Sequence, residues 1–108
     1  MLEGLFQTRY PINKVGNFNG AQTDTVIWTP SNNKRIILCG VVISVDTAMN
    51  CQLEASDVDV IPPLYLDAKG GAVISGYHPI WVGQLNEALA LTTSGAGNVS
   101  IVLWGWEA

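Results

Sequence analysis

From position 34 onward, apolar runs dominate the chain and short polar or glycine-rich corners separate them. Ile36-Ile-Leu-Cys-Gly-Val-Val-Ile-Ser-Val45 is the longest run, and Val99-Ser-Ile-Val-Leu-Trp-Gly-Trp106 is the last. Between them, Cys51-Gln-Leu-Glu-Ala55 alternates apolar with polar side chains, the period of a strand with one covered face. Thr25-Val-Ile-Trp-Thr29, Leu64-Tyr-Leu66 and Ala72-Val-Ile-Ser75 are shorter strand candidates. Pro30-Ser-Asn-Asn33, Lys69-Gly-Gly71 and Ser94-Gly-Ala-Gly97 supply turn chemistry, and Ile61-Pro-Pro63 enforces an extended passage. Residues 86–91 contain good helix formers, but the run is short and bounded by turns, so it predicts a strand. About eight short strands with turn signals every ~8–12 residues predict an all-β fold. The expected architecture is a small antiparallel β-sandwich, jelly-roll-like.

Residues 34–45 depart from simple alternation. The odd positions include Ile37, Cys39, Val41, Ile43 and Val45, and the even ones Ile36, Leu38, Gly40 and Val42. A half-exposed strand alternates with polar residues, so both faces of this one are expected to be covered. One face would meet the opposite sheet; the other would meet the N-terminal segment or another subunit. Asp46-Thr-Ala-Met49 turns the chain. If it closes a tight hairpin, Cys39 faces Ser56 and Cys51 faces Ser44, too far apart for a disulfide. Residues 1–23 differ from the rest, with Leu2, Leu5, Phe6, Tyr10 and Ile12 irregularly spaced and a turn at Asn17-Phe-Asn-Gly20. The expected division is therefore 1–23 as an N-terminal arm or extra strands, and 24–108 as the sandwich domain.

At 108 residues the chain has the length of one domain with a core of its own. Hydrophobic residues make up 48% and charged residues only 13%, about half the usual charged share. Such a surface is sticky unless another subunit or partner covers it. A net charge of −4 with five dispersed cations argues against nucleic acid, whose phosphates need clustered Lys and Arg. Cys39 and Cys51 read as free, buried thiols, which suits a reducing cytoplasm. No signal-peptide pattern opens the sequence, and no apolar run reaches the ~20 residues of a membrane span, so no membrane partner is expected.

Candidate chemistry is sparse. His78 is the sole histidine, precedes Pro79 in a loop, and has no local nucleophile or carboxylate signature beside it. Glu54, Asp57, Asp59 and Asp67 form an acidic group that could offer oxygens to calcium, but the spacing is not that of an EF-hand and a solvated loop is expected. Gly70-Gly71 and Gly95-Ala-Gly97 lack the following helix and Lys-Ser/Thr of a phosphate cradle. No catalytic, cofactor-binding or metal residue is assigned, and no cofactor. Trp104 and Trp106 share a face of the last strand, about 7 Å apart. They suit a core or subunit contact, or, with Trp81 and Tyr77, a sugar-stacking platform.

The order of pieces in 34–108 resembles a family of small tailed-bacteriophage virion proteins with a jelly-roll-like fold. The residues that carry it are Asn33-Lys-Arg-Ile-Ile-Leu38, Pro63-Leu-Tyr-Leu-Asp-Ala-Lys-Gly-Gly71, Pro79-Ile-Trp81, Asn86-Glu-Ala-Leu-Ala-Leu91 and Trp104-Gly-Trp-Glu107. Asn86 stands where the family tends to have Gly, a mild change because Asn tolerates positive φ. The resemblance covers about two-thirds of the chain and omits the N-terminal segment. It implies a non-enzymatic homotrimer that decorates or cements the exterior of a capsid, with the major capsid protein as partner. The expected location is the virion surface after synthesis in the host bacterial cytoplasm. On that reading Ile36, Leu38, Val42, Trp104 and Trp106 are expected at the subunit contact, and Leu5, Phe6 and Tyr10 against the capsid or a neighbour. The alternative is a carbohydrate- or receptor-binding module such as a fibre tip, with a surface glycan as partner. A cupin-type enzyme would need a histidine-rich metal site that one histidine does not supply.

Overall fold

The computed structural model describes residues 11–76 and 78–108, so Leu5, Phe6, Tyr10 and Tyr77 lie outside the described residues. Nine strands follow one another: β1 (Ile12–Asn19), β2 (Thr25–Trp28), β3 (Ile36–Val45), β4 (Met49–Ala55), β5 (Val58–Leu66), β6 (Gly71–Ser75), β7 (Trp81–Val82), β8 (Leu89–Thr93) and β9 (Asn98–Glu107). They build two antiparallel sheets. One has five strands in the order β1-β9-β3-β6, with β7 also pairing β3; the other has four in the order β2-β8-β4-β5. The chain crosses between sheets at most connections, and these interleaved orders make the predicted jelly-roll sandwich. Among the described residues there is no helix, and hence none long and apolar enough to cross a membrane.

Most turns form where turn chemistry is written, but Asn17, Phe18 and Asn19, expected in a turn, instead end β1 and pair with β9. Asn33, Lys69 and Asn86 all take positive φ, and Asn86, at φ 64, adopts the geometry for which it stands in for Gly. Ser56 and Asp57 carry the tight β4–β5 hairpin with φ of 51 and 62. The segment 46–49 does not close a hairpin. It carries the chain from β3 in one sheet to β4 in the other, so Cys39 does not face Ser56 and Cys51 does not face Ser44. Cys51 lies opposite Leu64 and Thr93 instead. The physical reason is that the apolar faces of β3 and β4 pack against each other across the interior. Both thiols are free, and burial pushes both up from their ordinary pKa.

Alternation builds the core. Met49, Cys51, Leu53 and Ala55 of β4, Leu89 and Leu91 of β8, and Val99, Ile101 and Leu103 of β9 all point inward, joined by Trp28 and Ile61. Each such aliphatic side chain contributes about 1.5–3 kcal/mol by leaving water. Thr93 is the buried polar residue here, and its hydroxyl oxygen accepts the Gln22 backbone N–H at 2.9 Å.

A β-bulge explains why β3 is apolar at both parities. Leu38 pairs with Gly105 and Gly40 with Trp104, so Cys39 is an extra residue with no partner across the ladder. The phase of the strand reverses there. Ile36 and Leu38 point into the core before the bulge, and Val41, Ile43 and Val45 after it. Much of the strand's second apolar face is therefore the same face read in two registers. This corrects the expectation for Ile36 and Leu38: both are 0% exposed inside their own protomer, with no surface left for a second copy.

The bulge requires its glycine. A Cβ on Gly105 would overlap the Ile37 carbonyl oxygen, backbone that cannot step aside cheaply. Gly105→Ala should therefore destabilise the fold by roughly 1–3 kcal/mol, the usual range for overpacking. Urea unfolding measures it; an unchanged midpoint would show that the close approach at the bulge is not required.

Candidate functional site, an uncharged sheet face

The side chains that do not enter the core from the five-stranded sheet form one continuous outer face. Pairing across β1, β9, β3 and β6 aligns Val15, Val102, Val42 and Val73 in a single row. On one side of it lie Asn13, Trp104, Gly40 and Ser75, and on the other Asn17, Ser100, Ser44 and Gly71. A further row places Trp106, Ile37 and Val82 side by side. Ile37 is buried yet stands apart from the core cluster, as its outward parity demands. Val15 is 71%, Val73 67% and Val82 53% exposed. None of these paired positions carries a charge. Arg35 borders the face beyond the Trp106 row, where it pairs with Ala108, and Asp46 borders the opposite end.

Two local arrangements shape this face and its border. The Trp104 ring lies over Gly40, where a Cβ would overlap it, so the glycine makes the recess that the indole fills. At the Asp46 border, the carboxylate accepts the Asn98 backbone N–H at 2.7 Å, its side-chain N–H at 2.8 Å and the Thr47 hydroxyl at 2.8 Å. These bonds, with Thr47 first, hold the Asp46 carboxyl below its ordinary pKa and tie the β3–β4 and β8–β9 connections together.

Polar chemistry gathers elsewhere, around the β4–β5 hairpin. Asp24, Glu54 and Asp57 bring carboxylate oxygens within 4.8 Å of one another, the one such grouping of metal-capable side chains among the described residues. Asp59 and Asp67, expected in an acidic group with Glu54 and Asp57, are not part of it, and Asp24 joins from the loop before β2. The charge of Glu54 pushes the exposed Asp24 carboxyl up, while the Thr92 hydroxyl, donating to Glu54, holds Glu54 down. Three carboxylates, Asp24 and Asp57 exposed and Glu54 half-buried, fall short of the 6–8 oxygens that calcium takes, and they fit a solvated acidic corner. Beside the hairpin a groove of about 320 Å³ runs between Val58, Val60, Trp81 and Val82, with Ser56, Asp59, Gln84 and Glu87 at its polar wall. Glu87 is already engaged, accepting from Ser56 and from the Gln84 backbone. His78 is exposed.

Glu107 is the carboxylate that joins the two sheets. Its oxygens accept the Trp28 indole N–H at 2.9 Å and the Ser31 backbone N–H at 3.0 Å. Partial burial pushes the carboxyl up, but the Trp28 and Ser31 hydrogen bonds and the Lys14 charge outweigh it, and the pKa is lowered from 4.5.

Of the residues expected at a subunit contact, the fold places Val42, Trp104 and Trp106 together on the outer face and takes Ile36 and Leu38 away. Trp81 turns its ring toward the interior and Trp104 and Trp106 lie outward, so the sugar platform that joined them is not assembled. Val15, Val73 and Val82 belong to the face and were missed. Their signal was weak: Val15 sits in Asn13-Lys-Val-Gly-Asn17, which reads as polar until its partner strand is known.

No protein-family model matches the sequence, and no curated protein matches it. Solved structures do. A chain of the acidic stable capsid structure of Helicobacter pylori bacteriophage KHP30 superposes with a TM-score of 0.56 at 11% identity, over 89% of this chain and 86% of that one. A chain of the cyanophage Pam1 capsid asymmetric unit gives 0.54 at 11% identity, over 91% and 85%. The chain shares its fold with phage capsid proteins. At that identity the likeness is one of architecture, and it spans nearly the whole of each partner.

Acid should separate the carboxylates by sign. Glu107 has a lowered pKa, so its stabilisation is present above 4.5 and is lost as pH falls through the folded value. Glu107→Gln should melt lower than the parent at pH 7, with the gap closing below about pH 4.5; a gap independent of pH would exclude the charged acceptor. Asp24 has a raised pKa, so its ionisation weakens the fold as pH rises from 3.8 through the folded value. Asp24→Asn should therefore raise the melting temperature at pH 7 and give no gain near pH 3; a lower melting temperature at pH 7 would show that its hydrogen bonding outweighs the repulsion.

Proposed function

We propose that this protein is a phage virion structural protein, a homotrimer that decorates or cements the capsid exterior by binding the major capsid protein. What supports the reading above all is the likeness to two phage capsid chains over almost the full length of each partner. A domain of this kind works through its surfaces. The large uncharged face and the low charge of the chain favour burial against protein. The acidic corner and net charge of −4 disfavour a nucleic acid partner. Binding that prefers the assembled shell stabilises that shell by mass action.

Shells assembled from the major capsid protein alone provide the test. The purified protein should pellet with them, saturate at a fixed ratio to capsid subunits, and raise the temperature at which the shells come apart. Protein that stays in the supernatant at tens of micromolar, with shell melting unmoved, would refute the reading.

A further inference from the structure

We infer that the uncharged outer face of the five-stranded sheet is where copies of this chain meet, the face of one protomer packing on the same face of another. This goes beyond the proposed function: packing on the same face is a two-fold contact that joins copies in pairs, separate from any contact that sets the number at three. Three observations select a second copy as the occupant. The first is the cross-strand row of Val15, Val102, Val42 and Val73, with its outer members more than two-thirds exposed to water. A row this apolar on a sheet surface marks an interaction site.

The second is charge. The molecule carries −4, and its closest acidic grouping, Asp24, Glu54 and Asp57, sits at the β4–β5 corner away from this face. Copies repel through that corner, whereas the paired rows of the outer face have no charge to bury or oppose. Asn13, Asn17 and Ser44 flank the valines with groups that both donate and accept, while the Ser100 hydroxyl donates to Asn17 Oδ1 within the face, so identical faces can meet through the remaining polar groups.

The third is area. At a rise of about 3.3 Å and a strand spacing of about 4.8 Å, the strands of this sheet present roughly 550 Å². Two faces together cover roughly 1,100 Å², above the ~1,000 Å² that a specific interface needs. Sheets stacked this way sit about 10 Å apart with their side chains interdigitated.

Light scattering during gel filtration at about 50 μM tests the face. The parent should elute at an even multiple of 11.6 kDa. Val42→Lys and Val73→Lys should each halve that mass, with the β circular-dichroism spectrum and cooperative melt retained. Val58→Lys, at an equally exposed valine on the other sheet, should leave the mass unchanged. If Val42→Lys fails to fold, Val73→Lys carries the test, since its side chain already reaches water. A single-chain parent, or folded lysine variants that keep the parent mass, would overturn the inference. Shell pelleting is the independent arm. A Val73→Lys protein of half the parent mass that still pellets supports the inference and leaves the capsid reading standing. A variant of unchanged mass that no longer pellets assigns the face to the capsid and overturns it.

Discussion

The bulge at Cys39, opposite Gly105, is the constraint on which the rest of the molecule depends. β3 and β9 are the two ten-residue strands inside their sheet, and β3 pairs with β9, β6 and β7. Without the extra residue, Ile36 and Leu38 would point outward whenever Val41, Ile43 and Val45 pointed inward. The bulge lets all five enter the core and leaves Gly40, Val42 and Ser44 outside. The cost is a close approach to β9 that only glycine at 105 accommodates. Core and outer face are thus two products of one backbone irregularity.

The outer face follows from that phase reversal. Gly40 comes to lie beneath Trp104, and Val42 comes into line with Val102, Val15 and Val73. A sheet whose solvent side is furnished with Val, Trp, Asn and Ser is suited to close contact with protein. The charged groups occupy the corners, where they work locally. Asp46 ties two connections at one end, and Glu107 clasps Trp28 and Ser31 across the sheets at the other. The sandwich is held together at its ends by carboxylates and left free of charge on its broad side, the arrangement expected of a component that assembles.

The capsid reading and the face support each other without being the same claim. The fold is shared with chains of two phage capsids at 11% identity, so what is common is the backbone plan. Such a plan presents broad sheet surfaces and variable loops, and the residues displayed on them decide what is bound. In this chain the distinctive display is the valine row and the two outward tryptophans of β9.

Much of the architecture was legible in the pattern alone. Alternation over Cys51-Gln-Leu-Glu-Ala55 announced a strand with one buried face, short turn-bounded apolar runs announced β8 and β9, and Pro30-Ser-Asn-Asn33, Lys69-Gly-Gly71 and Asn86 announced turns, because turn chemistry and period are local properties of the backbone. That Trp104 and Trp106 share a face was also readable, since strand parity is local; that the face is the outer one was not. Pairing was not. Whether 46–49 closed a hairpin or crossed between sheets depended on which apolar faces met over a distance, and no local signal records that. The bulge was hidden for the same reason: an extra residue exists only relative to a partner strand, so Ile36 and Leu38 read as subunit contact until β9 was set beside them. The sequence by itself determined that there would be strands, corners and an apolar surplus. Only the tertiary structure decided which valines stood in one row, because register is a relation between strands distant in the chain.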